Sequence, residues 1–134
     1  MTAAGSRQIM FNGTVMRGEP AHANLTGATF VESVSTAPVY RLWSIDDRFP
    51  AMFRVMEDGA SISGELYEVP DEVWPRIEAT EPEGLYCGEV DLDDGRTVFG
   101  MLGSDSLAGA GRDITEFGGW REYWSAEGSG GTPT

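Results

Sequence analysis

Residues 64–70 read GELYEVP, and this segment decides the fold because it joins the clearest strand pattern of the chain to its longest helical pattern. In residues 61–69 successive side chains fall alternately into two sets, one for each face of a strand. This two-residue period is typical of a β-strand. The turn signal Asp58-Gly59 comes just before them. A strand of the sheet is therefore predicted to end at the proline that closes this segment.

The segment that follows, residues 70–81, predicts the main helix. Val73, Trp74 and Ile77 supply an apolar stripe at helical spacing. Pro75 fits only in a first turn, so we expect regular helix to begin near Trp74. Pro82 ends the helix.

The rest of the chain is rich in short strand patterns. Alternating segments bounded by turn residues predict strands at 8–11, 28–34, 39–44, 52–56, 86–92 and 97–102, with the hairpin turn Asp93-Asp94-Gly95 between the last two. A short second helix is predicted near 119–125. Many strands with one main helix predict an α+β fold: a small mixed β-barrel-like sheet with one main helix and a short C-terminal helix. We expect an N-terminal extension at 1–7, one domain at 8–125, and a disordered Gly/Ser/Pro tail at 126–134.

Composition excludes several classes of function. The chain has 134 residues and a formal net charge of −13, and its nine basic residues are all arginine. Such an acidic protein lacks the basic face that nucleic acid requires. One cysteine permits no internal disulfide, and one histidine makes a zinc site improbable. We find no phosphate-loop or dinucleotide motif, no membrane span and no signal peptide, so we expect no metal, no cofactor and a cytoplasmic location.

The first candidate site is residues 11–18, FNGTVMRG, directly after the first strand. Gly13 allows a sharp turn whose N–H groups are free to bind an anion. Thr14 adds a hydroxyl, and Arg17 adds a guanidinium that suits a carboxylate. The alternative is a purely structural turn.

The second candidate is Glu81, at the C-terminal end of the main helix. The negative pole of the helix dipole disfavours a carboxylate there, and burial would raise its pKa further, towards the range of a general acid or base. The alternative is an exposed, solvated glutamate. Cys87 has no base beside it and is interpreted as a packed, inert thiol, although a pair with His22 is conceivable.

Taken together, these segments resemble the γ-glutamylcyclotransferase-like superfamily. That superfamily begins with a strand followed by Tyr-Gly-Ser/Thr-Leu, matched here by Asn12-Gly13-Thr14-Val15, and continues with a Gly-Glu-Leu-Tyr-Glu-Val-Pro segment. Its Leu-Asp-x-x-Glu helix end corresponds to residues 77–81, with an aromatic residue, Tyr86, following. The resemblance implies that Glu81 is the catalytic acid/base. It also implies a substrate-binding set: Asn12, Gly13, Thr14, Val15, Arg17 and Tyr86.

A narrower likeness lies in residues 36–43 (TAPVYRLW), 50–52 (PAM) and 113–121 (DITEFGGWR). These look like the C-terminal domain of allophanate hydrolases, and the likeness extends from about residue 8 to 124. That domain is normally fused to an amidase, whereas here we expect it to stand alone. The resemblance implies decarboxylation of N-carboxycarbamate. The chain departs from both patterns: Asn12 and Val15 replace the cyclotransferase tyrosine and leucine, whereas allophanate hydrolase domains usually lack a glutamate at the position of Glu81.

Three functions follow as hypotheses. The first is a lyase that acts on a small carbamoyl or carboxylate metabolite through Glu81. The second is a γ-glutamyl cyclotransferase that releases 5-oxoproline from a γ-glutamyl amine or amino acid. The third is a non-catalytic partner of a separate amidase. The partner expected in the first two is a small molecule bearing a carboxylate or amide, and the sequence is compatible with either a homodimer or a monomer.

Overall fold

The computed structural model describes residues 5–107 and 109–128, which form an α+β fold. The strands are β1 (Ser6–Phe11), β2 (Thr29–Ser35), β3 (Tyr40–Ile45), β4 (Phe49–Arg54), β5 (Ser63–Pro70), β6 (Leu85–Asp91), β7 (Thr97–Gly103) and β8 (Arg112–Asp113). The helices are α1 (Trp74–Thr80) and α2 (Trp120–Gly128), and three short 3₁₀ segments begin at His22, Asp105 and Thr115. The predicted fold class is confirmed: the strands form small sheets and two helices pack with them. Among the described residues, those strands are divided between two sheets and do not close into one barrel.

The larger sheet has the order β2-β5-β1-β7-β6, and the smaller has the order β4-β3-β8. In the larger sheet β1 is central. It runs antiparallel to β5, with Phe11 opposite Glu65, and parallel to β7. The sheet is therefore mixed, and the end of β1 lies inside the molecule, where the segment that follows it is surrounded by other elements.

The two faces of β1 contribute to two separate apolar cores, because successive side chains of a strand point to opposite faces. Met10 packs in a core with residues of the smaller sheet and of α2, such as Leu42 and Trp120. Ile9 and Phe11 pack in the other core, with Ile77 of α1. The larger sheet is thus covered on both faces.

Several boundaries differ from the sequence prediction. The main helix, α1, begins at Trp74, as expected from Pro75, so residues 70–73 of the predicted segment precede its seven residues. Strand β4 begins at Phe49, three residues early, because its partner β3 pairs with it up to Ile45. Strand β8 and the 3₁₀ segments were not predicted.

The predicted terminal boundaries differ as well. Strand β1 begins at Ser6, inside the predicted N-terminal extension, whose residues 1–4 lie outside the described residues. Helix α2 continues to Gly128, so residues 126–128 of the predicted tail are helical. Residues 129–134 of that tail also lie outside the described part of the chain. In the described ranges, neither helix has the length and apolarity needed to cross a membrane.

Candidate functional site

The loop after β1 has all its carbonyl groups bound within the protein. Gly13 O accepts from Met16 N (3.1 Å), Thr14 O from Ala21 N (2.8 Å) and Met16 O from Glu19 N (3.0 Å). Val15 O accepts from His22 Nδ1 (2.9 Å), and Arg17 O accepts from the Arg121 guanidinium. Five successive carbonyls are therefore directed to donors of the protein itself.

The amides of the same loop are different. Within the described ranges, no residue accepts a hydrogen bond from the N–H of Gly13, Thr14 or Val15. Successive free N–H groups whose carbonyls are bound elsewhere form a concavity of positive partial charge, which suits an anion. Anion binding by the Gly13 turn stays a prediction, and the free amides are compatible with it.

Gly13 is required here by close packing. A Cβ at this position would lie 2.7 Å from Cδ of Pro50, which is too short for any real contact. Pro50 belongs to β4, so the absence of a side chain allows the loop to pack directly on the smaller sheet.

Glu81 is the residue that ends α1. Its backbone is extended (φ −75°, ψ 142°), and its N–H donates to Glu78 O at 3.1 Å. Its side chain is half-buried, and no residue in the described part of the chain donates a hydrogen bond to its carboxyl group. Burial raises the pKa of Glu81 to about 7, because an ionised carboxylate loses hydration there without gaining a partner.

The loop and Glu81 line one pocket. Its polar wall contains Asn12, Gly13, Thr14, Val15 and Glu81, and its apolar wall contains Phe11, Phe49, Pro50, Pro82, Leu85 and Met101. The buried Asn12 donates from Nδ2 to the thioether sulfur of Met52, 3.5 Å away. The pocket volume is about 20 Å³, which is room for about one water molecule. The structure therefore brings together five of the residues predicted for the site.

Arg17 and Tyr86, which were also predicted to bind substrate, do not line this pocket. The Arg17 guanidinium pairs instead with the buried carboxylate of Glu65 (Nε to Oε2, 3.0 Å). Tyr86 is 50% exposed on β6, while its neighbours Leu85 and Cys87 turn to the opposite face and pack in the core with Ile77.

Other residues of the site were missed by sequence reasoning. Phe49 and Pro50 reach the pocket only through the pairing of β3 with β4. His22 was considered only with Cys87, yet its ring binds the loop at Val15 O. Glu65 carried a signal that went unused: it shares one face of its strand with the apolar Tyr67 and Val69, so its position should be buried.

The remaining candidates add no chemistry to the pocket. Burial raises the pKa of the Cys87 thiol, so little reactive thiolate is present near neutral pH. In the described part of the chain, no group of three or more His, Cys, Asp or Glu side chains is placed to hold a metal ion. The polar groups of the pocket are therefore those of Glu81, Asn12 and Thr14 together with the backbone of the loop.

Comparison with known proteins shows the family. Residues 7–125 match the family model described as the allophanate hydrolase C-terminal domain. The chain is 30% identical over 121 residues to the urea amidolyase of Saccharomyces cerevisiae, covering 84% of this chain but only 7% of that protein.

Solved structures agree with this match. A uropathogenic E. coli-specific protein is 38% identical, with a TM-score of 0.86, and the match covers 90% of this chain and 96% of that one. Allophanate hydrolase of Kluyveromyces lactis is 27% identical, with a TM-score of 0.85, over 91% of this chain and 21% of that one.

A γ-glutamyl cyclotransferase shares the fold at 13% identity, with a TM-score of 0.53 over 74% of this chain and 67% of that one. At this identity the likeness concerns the fold alone. The family match covers nearly all of the described residues, including the loop after β1 and the end of α1. This chain belongs to the allophanate hydrolase C-terminal domain family.

Proposed function

We propose that the chain decarboxylates a small N-carboxy compound, of which N-carboxycarbamate is the simplest, with Glu81 as the general acid. The observation that carries this proposal is that Glu81, with its pKa raised to about 7, lines the same pocket as three free amides. A proton donor and an anion-binding loop are the two elements that such a reaction needs.

In this proposal the amides of Gly13, Thr14 and Val15 bind the carboxylate that the product retains. The carboxylate that leaves lies against the apolar wall formed by side chains such as Phe49 and Met101. The negative charge of the leaving carboxylate is concentrated on that group in the substrate and disperses as CO₂ forms. A wall without donors therefore favours the transition state over the ground state.

The step is a simple exchange of bonds. The C–N bond to the leaving carboxylate breaks, CO₂ departs, and the electron pair stays on nitrogen. Protonated Glu81 delivers its proton to that nitrogen, which gives carbamate from N-carboxycarbamate. Glu81 then takes a proton from solvent. With a pKa of about 7, close to half of Glu81 is protonated at neutral pH, whereas an ordinary glutamate would be almost fully ionised.

The pocket has to widen for this reaction. Its volume of about 20 Å³ admits little more than a water molecule. We propose that Leu85 and Met101, which are apolar and make no hydrogen bonds through their side chains, move when substrate enters.

The second candidate is a γ-glutamyl cyclotransferase. The observation in its favour is the same pKa, because the ionised half of Glu81 can remove a proton from an attacking α-amine and return it to the leaving amine.

A third role, as a non-catalytic partner of an amidase, requires no pocket chemistry. In urea amidolyase and allophanate hydrolase the matching segment is a small part of a larger protein, so we propose a separate amidase as partner of this chain in the cytoplasm.

The test supplies allophanate labelled with ¹³C to the amidase part of an allophanate hydrolase, which generates N-carboxycarbamate in the sample. The chain is added, and ¹³CO₂ formation is followed by NMR. We expect the wild type to accelerate CO₂ formation and the Glu81→Gln variant to leave it at the rate without added chain.

A parallel sample contains a panel of γ-glutamyl amines and amino acids, with 5-oxoproline as the product to be detected. Release of 5-oxoproline by the wild type and not by Glu81→Gln would overturn the decarboxylase and establish the cyclotransferase. If neither CO₂ formation is accelerated nor 5-oxoproline released, and the chain co-purifies with an amidase, the non-catalytic role is the one supported.

A further inference from the structure

Glu65 is a charged side chain buried in the larger sheet. It lies on β5, directly opposite Phe11 at the end of β1, and its side chain is 2% exposed. A carboxylate in such a place costs several kcal/mol unless it is fully paired. The role of this residue therefore depends on its partners.

The partners of Glu65 are Arg17 in the segment after β1, Tyr67 on the same strand, and Arg121 of α2, whose Nη2 lies 3.6 Å from Oε2. Oε1 accepts from the backbone N–H of Arg17 and from the Tyr67 hydroxyl, each at 2.9 Å, and Oε2 accepts from Arg17 Nε at 3.0 Å. Burial alone would raise the pKa of Glu65, but these hydrogen bonds outweigh it and hold that pKa below its ordinary value. The carboxylate is therefore ionised when it holds Arg17.

Arg17 is fixed from two further directions. Its carbonyl accepts from Arg121 of α2, and its guanidinium carbon lies 3.7 Å from the centre of the Phe30 ring. Arg17 directly follows the turn closed by Met16 N and Gly13 O. Its position therefore sets where the loop ends and which way the preceding peptide groups face.

We infer that Glu65 is a positioning residue for the anion-binding loop: by holding both the backbone and the guanidinium of Arg17, it keeps the amides of Gly13, Thr14 and Val15 free and aligned. This inference rests on the proposed function only in treating that loop as the carboxylate site. It also assigns Arg17 a different role from the substrate contact that the sequence predicted.

The physical reason is competition for acceptors. Without the Glu65 carboxylate, the N–H of Arg17 and its guanidinium each lose their acceptor, and the loop is free to turn towards other acceptors. Peptide groups that turn to meet them direct their own N–H groups away from the pocket. The loop would then lose both its order and its affinity for anions.

The experiment uses ¹⁵N NMR on the full chain and on Glu65→Gln. It measures the heteronuclear NOE of the Gly13, Thr14 and Val15 amides and their shifts during a titration with malonate, an unreactive dicarboxylate of the same shape as N-carboxycarbamate. We expect an ordered loop and malonate-dependent shifts in the wild type. In Glu65→Gln we expect lower NOE values at these amides and malonate binding weakened about tenfold or more.

Two further variants make the result specific. Glu68→Gln makes the same change on the same strand, where the carboxylate binds Ser6 instead of the loop, and should leave both readouts unchanged. Arg17→Met keeps the backbone N–H that binds Glu65 but removes the guanidinium, and should reproduce part of the loss of order.

The inference is overturned if the loop amides of folded Glu65→Gln are as ordered as those of the wild type. If only Arg17→Met folds, loop amides as ordered as in the wild type overturn it there. Failure of the wild type to bind malonate would instead remove the proposed carboxylate site, and the NOE comparison would still decide the role of Glu65.

Discussion

Glu81 owes its chemistry to its surroundings at the end of α1. Burial against the apolar pocket wall removes water from the carboxyl group and raises its pKa. Among the described residues no donor compensates for this loss. The same features that make the residue a proton donor near neutral pH must therefore destabilise the folded chain when the carboxylate is ionised.

This cost has a defined sign and pH range. The pKa of Glu81 is about 7 in the folded chain, and its ordinary value is 4.5. Between these values the folded state holds a proton that the unfolded state releases, so the free energy of unfolding falls as pH rises through this range. Above pH 7 the full cost is about 3 kcal/mol.

Replacing Glu81 by Gln should remove that cost, because glutamine is neutral at every pH. We expect Glu81→Gln to be more stable than the wild type, and its advantage to be about 2 kcal/mol larger at pH 8 than at pH 5, measured by urea unfolding. The exposed Glu78→Gln, on the same helix, makes the same change outside the pocket and is the control. An advantage of Glu81→Gln that is equal at both pH values would contradict the raised pKa.

At the scale of elements, the β3–β4 hairpin shows how backbone strain is held beside the site. Asp46 and Asp47 both have positive φ (54° and 56°), and Arg48 N donates to Ile45 O at 2.9 Å, which closes the two-residue turn. The hydrogen bond from Ser44, followed by that from Tyr123 of α2, lowers the pKa of Asp47. Asp46 has no such contact within the described ranges.

The two aspartates should therefore respond differently to glycine. Asp46→Gly relieves a left-handed conformation at no loss of contacts, so we expect a gain of about 0.5 kcal/mol in the free energy of unfolding. Asp47→Gly gives the same relief but loses the hydrogen bonds to Ser44 and Tyr123, so we expect a net loss of about 1 kcal/mol. Thermal unfolding of both variants checks this, and equal effects would show that the Asp47 contacts contribute nothing.

At the scale of the whole molecule, the net charge of −13 dominates long-range electrostatics. The ion pairs in the structure are mostly between partly exposed groups, such as Arg54 with Asp91 and Arg96 with Glu32, and exposed pairs contribute little. Repulsion between the excess carboxylates therefore opposes the compact state, and it also slows the approach of an anionic substrate.

Salt should accordingly stabilise this protein. We expect the melting temperature at pH 8 to rise by several degrees between about 10 mM and 300 mM NaCl, as the screening length shortens. The same series at pH 5, where protonation has reduced the net charge, is the control and should give a smaller rise. A fall in melting temperature with salt at pH 8 would mean that the ion pairs outweigh the net repulsion.

The sequence by itself determined the α+β class, the Gly13 turn after β1 and the place of Glu81 at the end of α1. These features follow from alternation, helical spacing, glycine and proline, which act over a few residues. Only the tertiary structure decided that Arg17 binds Glu65, 48 residues away, and that Tyr86 faces away from the pocket.

The same holds for the smaller sheet and for the pocket volume, because packing of β4 on the loop after β1 brings Pro50 against Gly13 from a distant part of the chain. Local patterns specify which elements form and where they end. The partner of each buried charge depends on desolvation and on packing between elements that are far apart in the chain. No local spacing encodes that partner.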